Sequence, residues 1–118
     1  MGKVKVTCEM EVTLKMISGK YKLLILESLI KNRTKRFSQL MSEFNNISQR
    51  TLTNQLRELE QDSLIERIVY AEVPPRVEYS ITDKGYSLKT ILELMCEWGK
   101  KNTDNRFEFT NTHYLDNN

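Results

Sequence analysis

Four polar side chains recur at helical spacing in the middle of the chain, at positions i, i+4, i+7 and i+11: Arg50, Asn54, Arg57 and Gln61. At about 100° per residue they share one face of a helix. Three leucines share the opposite face: Leu52, Leu56 and Leu59. An arginine fork matches O6 and N7 of guanine, and the amide of asparagine or glutamine pairs with two atoms of adenine. This face is therefore suited to reading base edges in DNA, although an ordinary surface helix also carries polar residues on its outer side.

The residues around this helix predict a helix-turn-helix. Ser48 is suited to be the N-cap, and Ile47 and Leu52 are placed to pack together across the first turn. A shorter amphipathic helix precedes it, with Ser38 as its expected N-cap. Its apolar residues lie at i, i+3, i+4 and i+7: Phe37, Leu40, Met41 and Phe44. Because the polar turn between the two helices spans only residues 45–47, the pair is typical of a helix-turn-helix.

A β-hairpin is predicted directly after the helix-turn-helix. Residues 65–71 are rich in Ile, Val and Tyr, and apolar and polar residues alternate over 77–81. The connecting loop, 72–76, contains two prolines and is expected to carry Arg76 at its tip. Arg67 and Arg76 are candidates for contact with phosphate or the minor groove, but three glutamates outnumber them in the hairpin. The hairpin has the position of a wing without a net positive charge.

The most basic stretch of six residues lies just before the helix-turn-helix, at 31–36, with four positive charges and no negative one. Because cations bind DNA chiefly through its phosphates, Lys35 and Arg36 are predicted to be phosphate contacts. All residues predicted to contact DNA are Lys35, Arg36, Ser48, Gln49, Arg50, Thr53, Asn54, Arg57 and Arg76.

The first and last helices predict a dimer. The apolar segment 14–30 is broken at Ser18 and Gly19, which indicates two short helices, and its second half is apolar on two faces. A last helix is expected to be capped by Thr82 or Asp83. It carries one long apolar stripe: Leu88, Ile91, Leu92, Met95 and Trp98. A single small domain seldom has enough core to cover all these faces, so a homodimer is the expected outcome; the alternative is that the hairpin and the helix-turn-helix cover them unaided.

Length and composition indicate one domain, and the predicted helices and strands place it in the α+β class, mainly α. The chain has 118 residues, 39% hydrophobic and 29% charged, with a net charge of +2 that by itself decides nothing about nucleic-acid binding. Residues 1–99 are expected to form the winged helix-turn-helix with its dimerisation helices. Residues 100–118 form a polar tail, either an additional helix that packs on a partner or a partly disordered end. No membrane span or secretory signal is evident, which favours a cytoplasmic protein.

The sequence contains few of the residues that catalysis or metal binding requires. Cys8 and Cys96 are too few for a disulfide framework and have no metal-ligand spacing, so neither a metal nor another cofactor is predicted. His113 is the only histidine, which leaves no histidine base for a catalytic triad or dyad. We therefore expect a protein that is not an enzyme.

Several strings, from about Cys8 to Gly99, resemble the HxlR family of bacterial winged-helix regulators, relatives of the MarR type. They are Ser-Gly-Lys-Tyr at 18–21, Arg-Phe-Ser-Gln-Leu at 36–40, the pattern from Ile47 through Asp62, Pro-Pro-Arg-Val-Glu-Tyr-Ser-Ile-Thr at 74–82, and Trp-Gly at 98–99. The resemblance implies a homodimer that binds operator DNA, with contacts between first and last helices. The sequence departs from the family at three positions: Tyr21 stands where Trp is usual, Ser63 where Gly is usual, and Glu9 where Pro is common.

The function that these observations favour is a sequence-specific transcriptional regulator that binds a palindromic operator as a homodimer. Cys8 matches an N-terminal cysteine through which some members of the family sense oxidants or electrophiles. An oxidant or small-molecule effector is therefore one expectation, with Cys96 of a second subunit as a candidate disulfide partner, and two idle thiols are the other. The alternative function, suggested by the near-neutral charge and the acidic wing, is a protein-interaction module that does not bind specific DNA.

Overall fold

Helices dominate the part of the chain that the computed structural model describes, residues 2–44 and 46–110. In chain order the elements are α1 (Glu9–Ile17), α2 (Lys22–Asn32), β1 (Thr34–Arg36), α3 (Phe37–Glu43), α4 (Gln49–Gln61), β2 (Ile65–Tyr70), β3 (Arg76–Ile81), α5 (Asp83–Tyr86) and α6 (Lys89–Asn102). The predicted α+β class, mainly helical, with a hairpin after a helix-turn-helix, is confirmed.

The core forms where α2 crosses the helix-turn-helix. Leu52, Leu56 and Leu59 of α4 are completely or almost completely buried, as their common face predicts. They share this core with residues of α2 and α3: Ile25, Leu26, Leu29 and Leu40. Burying each such side chain stabilises the fold by about 1.5 to 3 kcal/mol. The apolar side of α4 is thus fixed against the core, and its polar side is turned to solvent.

Residues 34–36, expected to belong to a polar connection, instead form the edge strand β1. The sheet has the order β1-β3-β2, with both pairs antiparallel. Thr34 lies opposite Ser80, and their hydroxyl oxygens are 2.6 Å apart. Since Thr-Lys-Arg has no alternation of apolar and polar residues, no local pattern indicated a strand; the free edge of β3 supplied the hydrogen-bonding partners.

Two helix starts differ from the sequence expectation. Helix α3 begins at Phe37, so Ser38 lies within its first turn, and the residue that precedes the helix is Arg36. The Arg36 amide donates to Gln39 Oε1 at 2.8 Å. The last helix is divided: Thr82 caps the short α5, and α6 starts only at Lys89. The expected break at Ser18 and Gly19 is confirmed, although α1 begins at Glu9, earlier than the apolar segment indicated.

The turn between α4 and β2 holds Ser63 in the left-handed region, with φ of 62°. This conformation destabilises a residue with a side chain by about 1 to 2 kcal/mol. Glycine avoids this cost, which explains why it is usual at this place in the family that the sequence resembles. Hydrogen bonds from the start of α5 hold the turn in place: Thr82 Oγ1 donates to the Ser63 carbonyl at 2.7 Å, and Lys84 Nζ donates to the Asp62 carbonyl at 2.8 Å. These hydrogen bonds offset part of the cost of the serine in this conformation.

Helix α6 extends past residue 99, where the winged helix-turn-helix was expected to end. The helix continues to Asn102, and residues 103–110 contain no helix or strand. The remainder of the expected tail, 111–118, lies outside the described residues.

Candidate nucleic-acid interface

The outer face of α4 brings five of the predicted DNA-contact residues together. Gln49, Arg50, Thr53, Asn54 and Arg57 line one shallow depression on the protein surface. All are exposed except Thr53, which is half-buried and whose hydroxyl donates to the Gln49 carbonyl at 2.8 Å. The hydroxyl of Thr53 is thus occupied within the helix, whereas the long side chains beside it project into solvent.

The start of α4 is fixed by the predicted cap. Ser48 Oγ accepts a hydrogen bond from the Thr51 amide at 3.0 Å and lies 2.9 Å from Thr51 Oγ1. Ile47 and Leu52 are both buried. Such a cap contributes about 1 kcal/mol and sets where the first turn begins, which determines the direction in which Gln49 and Arg50 project.

Arg50 and Arg57 retain uncompensated charges. Neither makes an ion pair or a side-chain hydrogen bond with any residue that the structure describes, and the same is true of Asn54. Glu58, the acidic residue next to Arg57, pairs instead with Lys22 of α2. Within the described part of the chain, the face therefore presents two unpaired guanidinium groups and an unpaired amide, the donor set that base edges accept.

An ion pair that sequence analysis missed attaches α4 to α2. Lys22 Nζ lies 2.8 Å from Glu58 Oε1, with the lysine side chain only 4% exposed and the glutamate 52% exposed. A buried ammonium is costly unless it is paired, so this contact fixes α4 relative to the start of α2. The only local signal was a lysine within an otherwise apolar helix; its partner, 36 residues away, has none.

Lys35 is not the free phosphate contact that the basic stretch suggested. Its ammonium pairs with the Glu43 carboxylate, and both side chains are largely buried. The same carboxylate accepts a hydrogen bond from Ser28 Oγ, 2.9 and 3.0 Å from its two oxygens, and Ser28 is itself buried. The contacts of Glu43 with Lys35 and Ser28 thus connect β1, α3 and α2. Arg36 is exposed and forms no ion pair within the described chain, so it remains the candidate phosphate contact of this stretch.

Arg76 does not lie at the wing tip as expected. It is the first residue of β3, directly opposite Tyr70 at the end of β2. Its side chain is 30% exposed and lies between Glu72 and Glu78. The tip itself consists of exposed, uncharged residues: Val73, Pro74 and Pro75. In the wing, the exposed Arg67 is the cation that has no ion-pair partner among the described residues.

A second feature is the apolar surface of α1 and α6. No residue of α6 is buried in the single chain. The expected stripe divides: Leu88 and Leu92 turn to the core, whereas its other three residues face solvent together with Leu94, namely Ile91, Met95 and Trp98. On α1, Met10 and Leu14 are also more than half exposed. Exposed apolar patches of this kind mark interaction sites.

The two cysteines lie in different surroundings. Cys8 is half-buried and immediately precedes α1, and both thiols are free. Cys96 is exposed and lines a groove between α2 and α6. It is about 160° around the helix axis from Trp98, so it does not belong to the exposed apolar face of α6. In the same groove, burial raises the pKa of the Glu27 carboxyl, and the positive charges of Lys31 and Lys100 partly oppose this.

Two other kinds of site are absent from residues 2–44 and 46–110. This region contains no group of three His, Cys, Asp or Glu side chains arranged to hold a metal ion. Nor do its helices include one with the length and apolar character required to span a bilayer.

Comparison with known proteins matches most of the chain to helix-turn-helix regulators. The family model of HxlR-like helix-turn-helix proteins matches residues 16–107. An HTH-type transcriptional regulator of Methanothermobacter thermautotrophicus is 50% identical over 100 residues, 85% of this chain and 76% of the relative. The HTH-type transcriptional regulator YtcD of Bacillus subtilis is 48% identical over 99 residues, 84% of this chain and 78% of the relative.

The fold also matches solved structures over most of its length. The redox regulator HypR in its reduced form has 44% sequence identity and a TM-score of 0.77, covering 82% of this chain and 95% of that one. HypR in its oxidized form has 45% identity and a TM-score of 0.74, covering 82% and 99%. These relatives and neighbours are transcriptional regulators, not enzymes.

Proposed function

The chain belongs to the HxlR-like helix-turn-helix family of transcriptional regulators, and we propose that it binds a specific palindromic DNA operator as a homodimer in the cytoplasm. The observation that carries this proposal is the exposed face of α4, where Arg50, Asn54 and Arg57 have no partner among the described residues. Polar groups without internal partners are available to bases, and their types match guanine and adenine.

In this proposal α4 lies in the major groove. Arg50, Asn54 and Arg57 contact base edges, and Gln49 and Ser48 lie at the start of the helix, where its amides favour phosphate. Arg36, exposed at the start of α3, contacts the backbone. Lys35 is withdrawn from this set because Glu43 holds its charge.

The exposed apolar face of α1 and α6 supports the homodimer. Ile91, Met95 and Trp98 project together from a helix with no buried residue in the single chain. A second copy related by a twofold axis would present the same face and cover it. The two α4 helices would then read half-sites about one helical turn, roughly 34 Å, apart.

Replacing Arg57 or Arg50 with Ala should lower operator affinity by about 1 to 3 kcal/mol, roughly 5- to 150-fold, and relax the preference for one base pair in each half-site. The operator is first selected from random-sequence duplexes with the purified protein; binding is then titrated by fluorescence anisotropy. Arg106→Ala is the matched control because it removes the same charge from an exposed residue that pairs with Asp104. If both α4 variants bind the same sequences with unchanged affinity, the assignment of α4 is wrong.

The selection also decides between the proposed function and a protein-interaction module. A module without specific DNA binding would enrich no sequence, and any binding to genomic fragments at low salt would vanish at moderate salt. An enriched, twofold-symmetric sequence that stays bound at moderate salt supports the regulator.

We further propose that Cys8 makes the regulator responsive to oxidants. The similarity to a redox regulator solved in both oxidized and reduced forms motivates this, and Cys8 directly precedes α1, a proposed dimerisation helix. A peroxide would oxidise the thiolate to sulfenic acid and be reduced to water, which places a larger polar group where α1 begins.

Peroxide treatment should change operator affinity of the wild-type protein about fivefold or more, a coupling within the usual range for such switches. Cys8→Ser should abolish the response, and Cys96→Ser, the matched control, should retain it. The measurement is operator titration before and after oxidation, with thioredoxin or dithiothreitol used to reverse the change. A Cys8→Ser protein that responds like the parent would remove Cys8 from the mechanism.

A further inference from the structure

The guanidinium of Arg76 is held from three sides within the wing. Its Cζ lies 4.0 Å from the centre of the Tyr70 ring. Its Nη2 lies 3.2 Å from Glu72 Oε2, and its Nε lies 3.5 Å from Glu78 Oε2, the latter a distance typical of an ion pair more than of a hydrogen bond. Tyr70, Glu72 and Glu78 belong to β2, the loop and β3, so one side chain connects all three parts of the hairpin.

These contacts make Arg76 a poor phosphate ligand. Turning the guanidinium outward would forfeit the stacking on Tyr70 and would leave Glu72 and Glu78 unpaired beside the DNA backbone. Two carboxylates facing phosphates repel them, which offsets what one new ion pair gains. Its Nε is moreover shielded from solvent. The electrostatics therefore favour the position of Arg76 within the hairpin over a position on DNA.

The part of the wing that projects farthest into solvent is uncharged. Val73 is fully exposed, and Pro74 and Pro75 are exposed beside it. Two consecutive prolines restrict the backbone of this tip, so little conformational entropy is lost when it contacts a surface. Apolar side chains, proline among them, pack in the minor groove of DNA without any need for charge.

We propose that the wing contacts DNA by packing its uncharged tip, Val73 to Pro75, against the minor groove, and that Arg76 is a positioning residue that holds this tip in place. The inference rests on the proposed operator binding. A wing with an uncharged contact surface differs from a charged wing in one measurable respect. Contacts that do not neutralise phosphate release no counterions, so they leave the salt dependence of DNA binding unchanged.

The test measures operator affinity of the full-length chain over a series of salt concentrations. The double variant Arg76→Gln/Glu72→Gln, which keeps the net charge of the wing, should lower affinity about fivefold at every salt concentration and leave the slope of log affinity against log salt unchanged. Arg76→Lys should not restore affinity, because an ammonium cannot reproduce the planar fork stacked on Tyr70. Arg36→Gln is the reference variant: loss of one phosphate contact should reduce the slope by about 1.

Val73→Ser tests the contact of the tip with DNA independently of Arg76. Since Val73 makes no buried contact in the chain, this variant should fold like the parent and bind the operator several-fold more weakly with an unchanged slope. A slope reduced by about 1 in the charge-balanced double variant Arg76→Gln/Glu72→Gln, with recovery in Arg76→Lys, would identify Arg76 as a phosphate ligand and overturn the inference. Unchanged affinity in Val73→Ser would overturn the assignment of the tip.

The outcome for the wing is separable from that of the proposed function. If the wild-type protein selects no operator, DNA binding itself fails. If it selects one and Arg36→Gln behaves as expected, a contrary result for the variants of Arg76 concerns only the wing. Circular dichroism melting of each variant identifies any loss of affinity caused by unfolding.

Discussion

In the proposed homodimer, Trp98→Glu should separate the subunits into monomers and lower operator affinity about a hundredfold or more. Trp98 is 70% exposed in the single chain and projects from the same side of α6 as Ile91 and Met95. In a dimer built on this face the new carboxylate would be buried without a partner, which costs several kcal/mol. A monomer would hold only one half-site at a time and lose the avidity of two linked contacts, typically 10² to 10⁴ in affinity.

Size-exclusion chromatography with light scattering measures the oligomeric state, and anisotropy titration on the selected operator measures affinity. Lys89→Glu is the control because it places the same carboxylate on α6 about 180° away from Trp98. It should remain dimeric. A Trp98→Glu protein that is still a dimer with full operator affinity would show that the subunits meet on another surface.

The second large effect is expected from Gly85→Ala, which should destabilise the folded protein by about 3 kcal/mol. A Cβ at this position would lie 2.1 Å from the Leu64 carbonyl oxygen and 2.6 Å from Ile81 Cδ1. The carbonyl cannot move away cheaply, since it accepts hydrogen bonds from the Thr82 amide at 3.1 Å and from Thr82 Oγ1 at 3.0 Å. Room for the methyl group requires α5 to separate from the turn that holds Ser63.

Chemical denaturation followed by circular dichroism measures this loss, at one fixed protein concentration because dimer formation adds to stability. Gly99→Ala is the matched control. A Cβ there meets nothing within 4 Å in the chain, and alanine favours helix by about 1 kcal/mol over glycine, so this variant should not lose stability. A Gly85→Ala protein as stable as the parent would mean that the turn and α5 separate without cost.

Much of the fold could be predicted because its signals are local. The leucines of α4 repeat with the period of the helix, Ser48 caps the first turn, and both strands of the wing are enriched in β-branched and aromatic residues. Each of these features concerns residues within a few positions of one another. The strand β1 could not be found in this way, because its pairing partners are about 45 residues away in β3.

For the charges of the candidate interface, too, the sequence predicted what depends on local spacing and did not predict what depends on folding. Helical spacing predicts that Arg50, Asn54 and Arg57 share one face, and on that face they have no partners among the described residues. The pairing of Lys35 and Arg76 was not evident from the sequence: their carboxylate partners lie within eight residues along the chain, but the contacts depend on how α3 packs beside β1 and how the hairpin folds.

The amino-acid pattern alone therefore determined that the outer face of α4 carries donors suited to base edges, because helical periodicity is a property of consecutive residues. Only the tertiary structure decided which cations remain available beside it. Glu58 lies 36 residues along the chain from Lys22, and Glu43 reaches Lys35 only because α3 packs beside β1. Packing thus uses three of the positive charges to connect elements of the fold, whereas the guanidinium groups of α4 have no partner among the described residues.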